Sequence, residues 1–264
     1  MCPRGGGLLG GSGGPLAPAK LVCHCVLVEA GDELVLIDTG LGTADCADPG
    51  RLGVPFRAFV RPECDSAETA IRQVERLGFD PGDVRHVVAT HLDVDHAGGL
   101  GDFPAAEVHV FAPELAAALD PPLRDRARYV PAQWSHGPKW VEHDVDGDQW
   151  FGFDSVRLLA GLDAEIAMVP LVGHSSGHTG LAINSAGGWL LHCGDAFFHR
   201  DEVATPHSCP PGLRLFQTVV GHDNGVRGRN QERLRELARE QGDAVRLICS
   251  HDAHQFDELR PASD

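Results

Sequence analysis

The chain has 264 residues, 42% of them hydrophobic, which suits one compact α/β domain. Acidic residues outnumber basic ones by 38 to 22, a formal charge of -16, which argues against nucleic-acid phosphates and anionic membranes as partners and for a small-molecule substrate or a cation. Fifteen histidines against one tyrosine and two methionines fit metal chemistry.

Residues 1–20, MCPRGGGLLGGSGGPLAPAK, are rich in glycine and are expected to form a flexible segment ahead of a single domain spanning 21–264. They contain no apolar stretch of signal-peptide length. No apolar run in the chain reaches the roughly 18 residues of a membrane helix. The eight cysteines lie at irregular spacings without a disulfide framework, so they are expected to be reduced and the protein cytoplasmic.

The next stretch, KLVCHCVLVEAGDELVLIDTG (20–40), reads as a β-hairpin turning at Ala30-Gly31-Asp32, with Cys23 and Cys25 on one face of its first strand and His24 on the other. The cysteines are read as small buried residues in preference to a Cys-His-Cys metal site. SAETAIRQVERLGF predicts a helix with Ser66 as its N-cap and Gly78 past its end. VRHVVAT (84–90) then reads as an interior strand, followed by HLDVDH (91–96) on a loop at its C-terminal end, where α/β folds place their chemistry. EVHVFAPELAAAL (107–119) gives a strand and a helix.

Residues of about 120–154 hold three of the four tryptophans and the only tyrosine without clean periodicity, and read as an insertion packing over one edge of the site, with Tyr129, Trp134 and His136 as weak candidates. Strands resume with VRLLAG, EIAMVPLVG and GLAINSAGGWLLHCGDAFF, and the chain closes on the helix NQERLRELAREQGD and the strand AVRLICS.

Four stretches place His or Asp directly after a strand: HLDVDH (91–96), GHSSGH (173–178), HCGDAFF (192–198) and CSHDAHQF (249–256). Imidazole and carboxylate are ligands for zinc, iron and manganese, and four strand-end loops can converge on one rim. Asp38 is read as a carboxylate that fixes a loop or orients a ligand. His178 and His254 are read as supporting residues, His192 as packing, and His199 as within reach of a substrate.

In order and spacing these stretches resemble the metallo-β-lactamase superfamily, over roughly residues 21–256. The resemblance implies a four-layered αβ/βα sandwich with a dinuclear metal site between its two central sheets. It further implies that His91, Asp93 and His174 hold one divalent ion, that Asp95, His96 and His251 hold the other, and that Asp195 bridges them. Family members usually begin with a strand ahead of the hairpin, which leaves open whether the chain continues upstream of Met1.

Asp93 departs from the family, which usually has His there. A carboxylate is the harder ligand, so zinc is expected with manganese or iron admitted. Two divalent ions and three carboxylates leave one net positive charge where an imidazole at 93 would leave two, and a less positive site acidifies its water less. The activity implied is hydrolysis of an ester-like bond by a metal-bridging hydroxide oriented by Asp95. The substrate class it most resembles is an acyl-homoserine lactone. A thioesterase of glyoxalase II type, a phosphodiesterase, and a non-catalytic metal-binding or redox-sensing protein are the other readings. Oligomeric state is not readable, although the Trp-rich stretch could serve as an interface.

Overall fold

In the computed structural model, which describes residues 1–11, 13–144 and 146–260, two β-sheets lie face to face. The first contains β1 (Val26–Ala30), β2 (Glu33–Ile37), β3 (Val84–Val88), β4 (Glu107–Phe111) and β5 (Lys139–His143) in that spatial order. Only the β1–β2 hairpin is antiparallel; the other pairs are parallel. The second sheet runs from β6 (Asp148–Trp150) through β7 (Phe153–Leu158), β8 (Ile166–Pro170), β9 (Thr179–Ser185) and β10 (Gly188–His192) to β11 (Val245–Ile248). The helices are α1 (Thr43–Ala47), α2 (Val54–Val60), α3 (Ala70–Arg76), α4 (Ala112–Leu119), α5 (Pro211–Val220), α6 (Asn224–Gln241) and α7 (Ala253–Leu259).

Strand alternation explains the layering. In β2, Val35 and Ile37 point into a core between the sheets shared with Val88, Phe111, Ile166, Met168 and Leu181, while Leu34 and Leu36 point outward. The outward residues pack with Val74 of α3 and Leu115 of α4. On the far side, Val169, Ala182 and Leu191 meet Leu234 and Leu237 of α6. Burying each such Leu, Ile or Val contributes about 1.5–3 kcal/mol, so the αβ/βα order follows from sheets that are apolar on both faces.

Several boundaries differ from the sequence-based expectations. The first strand starts at Val26, and residues 22–25 instead follow the exit from β11, with Val22 and His24 N–H groups donating to the His251 and Ser250 carbonyls. Asp65, in place of Ser66, caps a short 3-10 turn, and the α-helix begins only at Ala70. α6 begins six residues before the expected helix because the Asp223 carboxylate accepts from the N–H groups of Gly225 and Val226. The Trp-rich stretch supplies β5 and β6 at the edges of the two sheets, and its Tyr129 and Trp134 are buried in the core under α4. The N-terminal segment makes a 3-10 turn at Gly6–Leu9 against α5, and the Ala19 N–H donates to the Pro3 carbonyl.

Candidate metal centre

Each expected ligand loop leaves the C-terminal end of a strand: residues 91–96 after β3, 173–178 after β8, 194–195 after β10 and 250–251 after β11. Asp38, where β2 ends, organises the first of them. Its φ of 54° lies in the left-handed region that Asp tolerates better than most side chains. The Asp38 carboxylate accepts from the Thr90 N–H and hydroxyl, both at 2.7 Å, and from His96 Nδ1 at 2.8 Å. Because the Thr90 hydroxyl donates to Asp38, its oxygen accepts from His91 Nδ1 at 2.9 Å. His251 Nδ1 donates to the Val22 carbonyl at 2.7 Å. Three rings thus have their protons fixed on Nδ1 and present Nε2 lone pairs to one space.

The loops are locked to one another by buried polar groups. Glu114 of α4 accepts from the Leu92 N–H, the Ser175 hydroxyl, the Gly177 N–H and the Tyr129 hydroxyl, joining the first two ligand loops. His178 donates from Nδ1 to the Leu171 carbonyl and accepts at Nε2 from the Asp195 N–H at 2.9 Å. Gly194 is required beside it, since its φ is 53° and a Cβ there would stand 2.5 Å from His178 Nε2. Asp252 caps α7 and also accepts from the Arg200 N–H and guanidinium, fixing the residue after His251.

Asp195 stands at the centre. One side of its carboxylate faces His174 Nε2 at 3.4 Å and His91 Nε2 at 3.9 Å, with Asp93 3.1 Å from His174 and 3.6 Å from His91. The other side faces His96 Nε2 at 3.4 Å and His251 Nε2 at 3.1 Å, with Asp95 3.8 Å from His251. Ligands about 2.1 Å from a tetrahedral ion stand about 3.4 Å apart, so both groups have the spacing of donors around one cation. His91 Nε2, His96 Nε2, Asp93 Oδ1 and Asp195 Oδ1 are buried without hydrogen-bond partners. Each such atom costs about 1–3 kcal/mol unless something charged or polar meets it.

The charges agree with the geometry. Burial opposes ionisation of Asp195, yet His251, His96 and His174 hold its carboxyl well below the usual range. Burial likewise opposes a charge on His96, but Asp195 and Asp38 hold its ring well above the usual value. Carboxylates that gather protonated rings around them are a donor set in which divalent cations would replace protons, and the residues fit a dinuclear site sharing Asp195.

The family model described as the metallo-beta-lactamase superfamily matches residues 19–251. The chain belongs to this superfamily. It is 45% identical over 233 residues to a Mycobacterium tuberculosis protein named a probable metallo-hydrolase, covering 88% of this chain and 75% of that one. It is 31% identical over 244 residues to the N-acyl homoserine lactonase AttM of Rhizobium johnstonii, covering 90% and 84%. Its fold matches a crystal structure of a Bacillus thuringiensis AiiA variant with N-decanoyl-L-homoserine at the active site, with a TM-score of 0.68 and 23% identity, over 93% of this chain and 88% of that one. The protein is therefore a metallo-hydrolase of the metallo-β-lactamase fold.

Within the superfamily pattern, the position of Asp93 acquires a second half. Arg128 places Nη1 3.4 Å from Asp93 Oδ1, and both side chains are nearly buried. The same guanidinium donates to the His174 carbonyl at 3.0 Å and to the Val220 carbonyl. Burial alone would raise the Asp93 carboxyl, but Arg128 and then His91 hold it well below the usual range. Were two divalent ions bound, Arg128 would bring the net charge of the centre back to the two positive charges that an imidazole at position 93 would leave.

Arg128 and Glu114 carry no sequence signal of their own. One lies in an aperiodic stretch and the other on the apolar helix APELAAAL, where a lone Glu reads as solvent-facing. Cys23, expected as a small buried residue of the first strand, instead lies ahead of β1 with its Sγ 3.8 Å from Asp95 Oδ2, beside the second donor group. His192 donates from Nε2 to the His24 carbonyl, in a packing role. His199 Nδ1 accepts from the Asp201 N–H as a local turn cap. His254 lies on the surface against Glu258, and His136 stands apart near Gly101.

Proposed function

We propose that the protein hydrolyses lactones of the acyl-homoserine type at this centre. His91, Asp93 and His174 would hold one divalent ion and Asp95, His96 and His251 the other, with Asp195 shared. The observation that carries the reading is the convergence of four imidazole Nε2 atoms and the carboxylates of Asp93 and Asp95 about Asp195. When bound, the ions would polarise the lactone carbonyl and bring the pKa of a water from about 15.7 towards 7.

The protein's own groups supply the remainder. Asp95 orients the attacking water and takes its proton as the oxygen joins the carbonyl carbon. The ring C–O bond then breaks, and that proton passes to the leaving alkoxide to give the hydroxy acid. Phe198, edge-on to Phe216 and 4.8 Å from the His251 ring, closes one side of the donor cluster with a buried apolar ring. Zinc suits the imidazole donors, and Asp93 admits manganese or iron. Eight unpaired cysteines are in keeping with a cytoplasmic enzyme, and among the described residues no helix is long and apolar enough to cross a membrane.

The test is a panel of acyl-homoserine lactone, thioester, β-lactam and phosphodiester, each assayed on chelated protein restored with zinc, manganese or iron. Lactone turnover should exceed the others with at least one metal. Faster turnover of another class with every metal overturns the lactone reading.

A further inference from the structure

On the face of the first sheet turned to the second, three histidines run diagonally across β3, β4 and β5, His86 opposite Glu107, His109 opposite Val141 and His143 opposite Phe111. His86 Nδ1 is 3.0 Å from His109 Nε2, and His109 Nδ1 is 2.9 Å from His143 Nε2. His86 Nδ1 also stands 3.9 Å from Glu107 Oε2, and His86 Nε2 stands 3.4 Å from Glu33 Oε2. Strand register places His86 beside Val35 and Glu107, on the face turned to the second sheet. Four residues of extended chain, roughly 13 Å, separate it from Thr90 and the ligand loops.

We propose that His86, His109 and Glu107 form a separate mononuclear site for a divalent transition ion of the zinc class. Their donor atoms are as closely grouped as those about Asp195. The ring protons can be placed to leave two donor atoms free. With no ion bound, the three rings can line up as a relay, each Nε2–H donating towards Glu33. Shifting the proton of His109 and that of His143 from Nε2 to Nδ1 frees His86 Nδ1 and His109 Nε2 together. No proton is lost. In that arrangement His86 Nε2 donates to Glu33 and His109 Nδ1 donates to His143, so each ligand ring has behind it the orienting acceptor that metal-bound imidazoles usually have.

Access and protonation suit the same reading. The side chains of Glu107 and Glu33 are about half exposed while His109 is buried, so an ion can enter from solution and be held against a fixed ring. Burial, with His143 and His86 as neighbours, pushes His109 down to about 4, so its ring is neutral and ligand-ready at pH 7. Two imidazoles and one carboxylate leave a further position for water or a soluble ligand.

This inference does not depend on the lactone reading. Metal-free full-length protein is titrated with zinc and, separately, with cobalt, and bound ion is measured by equilibrium dialysis and cobalt absorption. Wild type should bind one equivalent more than Glu107→Gln or His86→Asn, with the remaining cobalt spectrum and the hydrolytic rate unchanged. Equal stoichiometry in all three proteins overturns the proposal. A measurement without variants guards against misfolding: zinc-edge anomalous diffraction from wild-type crystals should give a peak between His86 Nδ1 and His109 Nε2, and its absence at occupied catalytic positions overturns the proposal as well.

Discussion

On one side of Asp195, His96 and His251 are aimed by Asp38 and by the Val22 carbonyl, groups fixed at the end of β2 and along the exit from β11. On the other side, Asp93 and His174 depend on Arg128, a long side chain reaching in from the stretch between α4 and β5. The first half is built from strand ends and backbone, the second from a charge pair between distant segments. The difference separates what orients a ligand from what sets the charge of the centre.

The largest effect should come from the residue both halves share. Asp195→Asn removes one carboxylate oxygen and the bridging charge, so metal content and hydrolysis should both collapse. The loss of rate should exceed the roughly 100-fold that removing a supporting partner costs. Retention of two ions by elemental analysis would show that Asp195 does not join the halves.

Asp38→Asn attacks the strand-end half alone. Without the carboxylate that holds His96 Nδ1, affinity for the second ion should fall about 10–100-fold, measured by competition with a chromophoric chelator, while the first ion stays. Glu114→Gln is smaller and falls on stability, because an amide turns two N–H groups towards donors that a carboxylate satisfied. It should cost about 1–3 kcal/mol in chemical denaturation.

The smallest effect is in pH. Burial, with His91 and His174 nearby, holds the His178 ring well below its usual value. A ring neutral in the folded state and titrating near 6.5 when unfolded contributes stability that is present above about pH 6.5 and lost as pH falls. Chelated wild type should therefore lose stability between pH 7 and 5 more steeply than His178→Gln, and equal slopes would remove His178 from the support of the Asp195 loop.

Legibility in the sequence follows the same division. Continuous apolar runs such as LVLI and short β-branched runs such as VRHVV reveal sheets covered on both faces, and ligands placed directly after strands reveal where they converge. Asp38 was readable because it ends a strand in a turn. Arg128 and Glu114 were not, since their partners lie in other segments and only tertiary packing brings a buried charge to its counter-charge. The row His86, His109 and His143 is equally hidden, because one histidine per strand has no local pattern and the rings meet only diagonally, each two positions beyond the residue paired with its neighbour.

Arg128 stands against Asp93, so with metal bound the centre should acidify water as a site with imidazole at position 93 would. The direct measurement is the acidic limb of the pH profile of kcat/KM for wild type, Arg128→Met, Asp93→His and the double variant. Removing Arg128 alone should raise the apparent pKa by about one to two units, as one charge roughly 6 Å away at intermediate dielectric implies. Asp93→His alone should lower it, and the double variant should return close to wild type. An unshifted profile for Arg128→Met, or a double variant no closer to wild type than either single change, would contradict the account.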